Sequence, residues 1–137
     1  MVWEHFCHES DIGVLGKGKS IEEAFEEAAL ALTAILTHPK EIEPIEKITI
    51  KCQAPDLDLL LIDWLNALIY EISANQLIFS KFKVKISNHH LQGEAWGEKI
   101  IQEKHQPAVE AKGATYSQLK VEKDDQGHWI AKCVIDV

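Results

Sequence analysis

The segment Leu57–Tyr70 constrains the fold most, because its spacing predicts a helix that is apolar around most of its circumference. Asp56, which follows Pro55, is suited to cap the first turn of this helix. The apolar positions are Leu57, Leu59, Leu60, Leu61, Ile62, Trp64, Leu65, Leu68, Ile69 and Ile72. A helix of this kind is usually central, packed between a sheet and another element. The run contains three polar residues that rule out a membrane span, namely Asp58, Asp63 and Asn66.

A second long helix is predicted nearer the N-terminus. Ser20 and Glu23 form a capping box, in which each side chain can satisfy an amide at the start of a helix. Pro39 ends the helix, because proline disfavours helical geometry in the residue before it, His38. Apolar residues recur between these signals at helical spacing: Ile21, Ala24, Phe25, Ala28, Leu32, Ile35 and Leu36.

Alternating apolar and polar residues predict β-strands on both sides of the central helix. One strand is expected at residues 48–53, and another at 81–86, where three lysines take the alternate positions, Lys81, Lys83 and Lys85. Further strands are expected at residues 3–7, 12–15, 90–96, 118–123 and 128–137. This order of elements predicts a single α+β domain over residues 1–137, with two main helices packed on one face of a largely antiparallel sheet.

The charge balance bears on which partners the protein can bind. The chain has 22 acidic residues against 14 basic ones, all of them lysine, and a formal net charge of −8. This balance argues against independent binding to nucleic acid, which needs a basic face and commonly uses arginine. The lysines can still cluster in space, so the argument weakens this function class without excluding it.

The cysteines and the N-terminus suggest a reducing compartment. Cys7, Cys52 and Cys133 are odd in number and far apart, so neither a disulfide framework nor a zinc ribbon is indicated. Residues 1–5 do not combine a basic start with an apolar run, so no secretory signal is visible. We therefore expect a cytoplasmic protein.

Two groups of residues near the chain ends are candidate metal sites. A zinc site of His5, Cys7, His8 and Asp11 is disfavoured, because His8 should point away from His5 and Cys7 on a strand. Asp11 and Asp136 are more promising if the last strand runs beside the segment that holds Asp11. The carboxyl group of Val137 would then join them, and such oxygen ligands suit calcium, magnesium or manganese. The alternative is a capping aspartate and a solvated tail.

A third group is His105, Glu110, Lys112 and Tyr116, in a segment too polar to be core throughout. Glu110 and Lys112 would project from one face of an extended segment and could form a surface ion pair worth ~0–1 kcal/mol. Residue types and spacing alone assign no function to this group.

Five motifs in order give the chain a resemblance to the archease family from end to end. Residues 8–13 resemble the family's His-Thr-Ala-Asp-Ile-Gly motif, and residues 110–116 resemble its Glu-Val-Lys-Ala-Val-Thr-Tyr segment. Residues 18–25 and 56–66 are similar to its two helices, the second followed by Phe79-Ser80, and the chain stops at Ile135-Asp136-Val137 as family members do. Three positions depart from the pattern: Glu9-Ser10 in place of Thr-Ala, Gly113 in place of alanine, and Ser117 in place of histidine.

The resemblance implies an accessory protein rather than an enzyme. Archeases assist RtcB-type RNA ligases, promoting guanylylation of the ligase and repeated turnover in tRNA splicing or RNA repair. The same resemblance implies a divalent cation held by Asp11, Asp136 and Val137, with calcium the first expectation and magnesium or manganese the others. It also implies an essential Lys112 and a recurrent histidine at His105. The tRNA would be reached only indirectly, through the ligase, and no membrane is involved.

Two other functions remain open from the sequence. One is a general chaperone or adaptor, which would suppress aggregation of unrelated proteins without needing Asp11 or Lys112. The other is a stand-alone metal-dependent phosphoester hydrolase built on Asp11, Asp136 and a histidine.

Overall fold

Both predicted long helices form, and each begins at its predicted cap. The computed structural model describes residues 1–137, with α1 at Ile21–Leu36 and α2 at Leu57–Asn75. The Ser20 hydroxyl accepts from the Glu23 N–H at 3.1 Å, and the Asp56 carboxylate accepts from the Leu59 N–H at 2.8 Å. Two short helical segments are also present, a 3-10 turn at Pro39–Glu41 after α1 and α3 at Gln102–His105.

The strands are all antiparallel and divide into two sheets. A five-stranded sheet has the order β1-β2-β8-β6, with β7 also pairing with β8, and a three-stranded sheet has the order β3-β5-β4. The bounds are β1 Val2–His8, β2 Asp11–Gly18, β3 Glu46–Gln53, β4 Leu77–Ser87, β5 His90–Lys99, β6 Gly113–Ala114, β7 Lys120–Lys123 and β8 Trp129–Asp136. The α+β class, the antiparallel pairing and the two main helices are confirmed. The division into two sheets was not expected, because alternation shows which face of a strand is buried and not which strand it pairs with.

One hydrophobic core joins the sheets and the helices. Both α1 and α2 contact strands of both sheets. Trp64 of α2 is fully buried at the centre, where its indole N–H donates to the Phe25 carbonyl of α1 at 3.1 Å. Its ring lies against Gly93 of β5, where a Cβ atom would collide with it. The expectation that α2 is the central helix is therefore confirmed. No helix is both long enough and apolar enough to cross a bilayer.

Candidate functional site at a corner of the five-stranded sheet

Strand pairing brings the two predicted aspartates to one corner of the five-stranded sheet. Asp11 is the first residue of β2 and Asp136 is the last of β8. These strands are antiparallel and pair Ile12 with Ile135, so the same register continued by one residue sets Asp11 opposite Asp136. Residues opposite each other on neighbouring strands project from the same face. The conditional expectation that the last strand runs beside the Asp11 segment is thus confirmed.

The C-terminal residue lies at the same corner. The Val137 N–H donates to the Asp11 carboxylate at 3.4 Å, and the terminal carboxylate belongs to this residue. Neither aspartate side chain has a lysine or histidine nitrogen within 4.0 Å. The corner therefore carries negative charge that no neighbouring cationic side chain compensates.

Lys112 reaches this corner from the other side of β8. Its N–H donates to the Asp136 carbonyl at 2.8 Å, and the next residue, Gly113, pairs with Asp136 at the start of β6. The Lys112 side chain is exposed, and its ammonium group has no carboxylate within 4.0 Å. The Lys112 backbone thus lies beside Asp136, while its unpaired ammonium side chain lines the groove against α2, where it is free to meet an ionic partner.

Two polar residues on α2 bind strands of this sheet, and only Asn66 does so near the corner; neither role was predicted from the sequence. The Asn66 side-chain oxygen accepts from the Ala114 N–H of β6 at 2.8 Å, and the Asp58 carboxylate accepts from the Val121 N–H of β7 at 2.7 Å. Asp58 and Asn66 are eight residues apart and so share a helix face. The signal was available, because polar residues at helical spacing on an otherwise apolar helix need partners when buried.

A groove separates α2 from the segment that carries Lys112. It has a volume of about 480 Å³ and is lined in part by Tyr70, Glu110 and Lys112. The Tyr70 and Tyr116 side chains are exposed, at 63% and 73% of their surface. Glu110 and Lys112 do not form the surface ion pair that the sequence allowed, since their charged groups are not within 4.0 Å.

His105 lies in a separate, buried cluster. It is only 2% exposed, and none of its hydrogen-bond partners belongs to the corner. Its Nδ1 accepts from the Ile101 N–H at 2.8 Å, which leaves the proton on Nε2 to be donated to Glu98 at 3.0 Å. The structure therefore gives His105 a part in holding α3 against β5 and does not bring it to Asp11, Asp136 or Lys112.

Glu98 is the ionised centre of that cluster. Burial disfavours its charge, but hydrogen bonds from the Lys104 ammonium, the Glu43 N–H and His105 outweigh burial and lower the pKa of Glu98 to about 2. The Lys104 Nζ is 2.8 and 3.1 Å from the two carboxylate oxygens. Because this buried charge is well paired, the cluster has the character of a structural anchor.

The residues at the corner fit a hard cation better than zinc. No three side chains of histidine, cysteine, aspartate or glutamate are grouped closely enough to hold a metal ion. His5 is occupied with the Ala31 carbonyl at 2.7 Å, so the disfavoured zinc set does not form. Two aspartates and the terminal carboxylate supply oxygen donors only, which suits calcium, magnesium or manganese. His8 of β1 lies opposite Asp11 of β2, and its buried Nδ1 has no hydrogen-bond partner.

A family model and curated relatives identify the kind of protein. The Archease protein family model matches residues 3–137. The chain belongs to the archease family. It is 41% identical over 139 residues to the archease of Pyrococcus furiosus and 38% identical over 137 residues to that of Sulfolobus acidocaldarius, with 98% of each chain covered in both cases. The resemblance inferred from the five motifs is confirmed.

Solved structures agree with the archease assignment. A solution structure of Methanobacterium thermoautotrophicum protein 1598 superposes with a TM-score of 0.85 at 34% identity, covering 98% of both chains. A crystal structure from Thermotoga maritima, described as an archease and possible chaperone, gives a TM-score of 0.65 at 23% identity, covering 98% of this chain and 96% of that one. The second likeness bears on the fold alone.

Proposed function

We propose that this archease-family protein activates an RtcB-type RNA ligase by docking beside its active site and favouring the metal- and GTP-loaded state. The observation that supports it is the corner where Asp11 lies opposite Asp136 and beside the C-terminal residue, with the exposed Lys112 joined to Asp136 through its backbone N–H. A nucleotidyl-transfer site offers the complementary groups, namely metal ions, phosphates and acidic metal ligands. In this role the chain is an accessory protein and not an enzyme.

Each group at the corner has a distinct task. Asp11, Asp136 and the carboxyl group of Val137 would hold a divalent cation, with calcium first and magnesium or manganese as alternatives. When bound, such a cation neutralises negative charge at the interface and orients oxygen ligands. Lys112 presents a mobile ammonium group to a phosphate or to an acidic ligase residue. Asn66 keeps Lys112 at this corner, because it fixes the first residues of β6 to α2.

His105 contributes by position in this proposal and not by contact with the ligase. With Glu98 it anchors the beginning of the segment 102–112, whose other end carries Lys112. The substrate tRNA is bound by the ligase, which holds the RNA ends during joining. The setting is tRNA splicing or wider RNA repair in the cytoplasm.

The test combines the protein with its cognate ligase, GTP, a divalent metal ion and an RNA broken into 3′-phosphate and 5′-hydroxyl ends. Wild-type protein at one-tenth of the ligase concentration should convert single-turnover joining into repeated turnover. Asp11→Asn, Asp136→Asn and Lys112→Gln should each remove most of this stimulation while keeping the wild-type unfolding midpoint. Asp125→Asn and Lys120→Gln make the same changes at exposed sites away from the corner and should stimulate normally.

Several outcomes would contradict the proposal. One is a folded wild-type protein that leaves the ligase at a single turnover. Another is equal stimulation by the corner variants and by the two controls. Turnover of a phosphoester by the purified chain alone would favour the hydrolase alternative.

The second candidate is the general chaperone or adaptor. Thermal aggregation of an unrelated protein, followed by light scattering, separates the two functions. The chaperone function predicts suppression that survives Asp11→Asn and Lys112→Gln, whereas ligase activation predicts no suppression at equimolar concentration.

A further inference from the structure

The outer face of the three-stranded sheet gathers five of the fourteen lysines of the chain. Strand pairing arranges this face in three rows, each running from β3 through β5 to β4. The rows are Lys47-Trp96-Lys81, Thr49-Glu94-Lys83 and Lys51-Gln92-Lys85. All five lysines are exposed, and we call this surface the lysine face. The alternate residues of the same strands point inward to the core, so the clustering follows from the strand register.

The lysine face is strongly positive on a protein that is negative overall. Glu94 is the only acidic residue in its three rows, and it pairs with Lys47 at 3.0 Å. Lys51, Lys83 and Lys85 have no carboxylate within 4.0 Å. Glu26 of α1 reaches the edge of β4, where its carboxylate accepts from the Val84 N–H at 2.8 Å. The formal net charge of −8 therefore conceals a basic surface.

The geometry of this surface suits an extended polyanion. Residues on one face of a strand recur every ~6.8 Å, so Lys81, Lys83 and Lys85 form an evenly spaced line. Such a spacing is comparable to that between successive phosphates of an extended nucleic-acid strand. At the β4–β5 turn, Lys51, Lys85 and His90 line a shallow cavity of about 360 Å³.

An aromatic ring lies among the lysines and distinguishes nucleic acid from other polyanions. Trp96 is half-buried on the central strand, with the Lys81 ammonium 4.8 Å from the centre of its ring. Bases of single-stranded RNA stack on aromatic side chains of open sheets, while lysines contact the phosphates. An acidic peptide would use the same charges but has no base to stack on Trp96.

We propose that the lysine face binds single-stranded RNA, with phosphates on the lysines and a base stacked on Trp96. This function goes beyond ligase activation, since it needs no ligase and uses a surface separate from the Asp11–Asp136 corner. It adds a direct contact with RNA to the indirect one, through the ligase, that the family resemblance implies. RNA binding by this face and stimulation of the ligase are therefore separate properties, so that a test of one can give a negative result while the other gives a positive one.

The test is fluorescence anisotropy of a labelled 12-nucleotide uridine RNA titrated with the full chain at several salt concentrations. A variant with Lys81→Gln, Lys83→Gln and Lys85→Gln should bind at least tenfold more weakly than wild type. Its slope of log affinity against log salt should be shallower by about 2, at ~0.7 for each lost phosphate contact. The matched control changes three exposed lysines outside the face, Lys19→Gln, Lys40→Gln and Lys120→Gln, and should bind nearly as wild type.

The contribution of the ring is tested with Trp96→Leu, which keeps an apolar side chain and should weaken binding at least fivefold at unchanged salt slope. Far-ultraviolet circular dichroism and the unfolding midpoint show that each variant is folded. The proposal is overturned if wild type does not bind the RNA at low salt, or if the control variant loses as much affinity as the face variant. It is also overturned if Trp96→Leu binds like wild type, or if an equally charged polyglutamate peptide or phosphatidylserine vesicles compete as well as RNA does.

Discussion

The Glu98 cluster offers the sharpest test of how the segment leading to Lys112 is held. Glu98→Gln keeps the shape of the side chain but removes the charge that binds Lys104 through both oxygens. The Glu43 N–H and His105 Nε2–H can still donate to an amide oxygen, so the variant mainly loses the ionic part of the interaction. We therefore expect destabilisation without loss of the fold.

The lowered pKa of Glu98 sets the size of the effect. A fall from the ordinary 4.5 to about 2 corresponds to at most ~3.4 kcal/mol of stability at neutral pH. The Lys104 side chain is 32% exposed, so solvent screening reduces the expected loss to about 1–3 kcal/mol. Because the folded-state pKa is below the unfolded one, this stabilisation is present above pH 4.5 and is lost as the pH falls through about 2. By pH 3 more than half of it should be gone.

Urea unfolding followed by tryptophan fluorescence at pH 7 and pH 3 measures both quantities. At pH 7 the variant should unfold with a free energy about 1–3 kcal/mol below that of wild type, and at pH 3 this gap should be less than half as large. Glu94→Gln breaks a more exposed pair with Lys47 and should change stability by no more than about 1 kcal/mol at either pH. A pH-independent gap, or no gap at pH 7, would refute the reasoning.

Three further predictions concern packing, the corner and thiol reactivity. Gly97→Ala should destabilise the protein by about 2 kcal/mol or more, because the new Cβ would collide with the β4 backbone. Gly113→Ala is the control: its Cβ would meet no atom closer than 3.7 Å, so the unfolding midpoint should change little. Asn66→Ala should lower the free energy of unfolding by about 1–2 kcal/mol and speed hydrogen exchange at the Ala114 amide of β6, as measured by NMR. Unchanged exchange at this amide would contradict the role of Asn66 as an anchor. Burial raises the pKa of the Cys133 thiol to about 12, so iodoacetamide at pH 8 should label the exposed Cys7 long before Cys133. Mass spectrometry measures the labelling, and equal rates at the two cysteines would contradict the burial of Cys133.

The helices were predictable because their signals are local. A cap at Ser20 or Asp56, a stop at Pro39 and a 3.6-residue periodicity all lie within the helix that they define. The hairpin of β7 and β8 has an equally local signal, because the polar, Gly-ended tetrapeptide Asp124-Asp125-Gln126-Gly127 lies between the two strands. The β4–β5 hairpin was less clear in sequence, since its turn uses Asn88 and His89, both with positive φ, in place of glycine.

From the sequence, the candidate site was predictable only as a set of residue types and family motifs, without their arrangement in space. Asp11 and Asp136 were named as a candidate oxygen-ligand site and Lys112 through the resemblance; strand pairing brings the two aspartates together, and the Lys112 N–H bonds to the Asp136 carbonyl. His105 was named as well, yet its ring is buried against Glu98, because a lone histidine in a sequence gives no sign of which way it faces. Asn66 was recognised only as a polar position on the second helix, and its hydrogen bond to β6 was not predicted.

The sequence by itself determined the two long helices, the alternation of lysines along β4 and the family to which the chain belongs. Only the tertiary structure decided that β2 and β8 bring Asp11 to Asp136, and that β3 and β4 lie on either side of β5. The physical reason is the range of the interactions involved. Caps and periodicity act over a few residues, whereas the pairing of strands distant in sequence depends on the packing of the whole core. The same pairing concentrates positive charge on one face of an acidic chain, which no residue count can show.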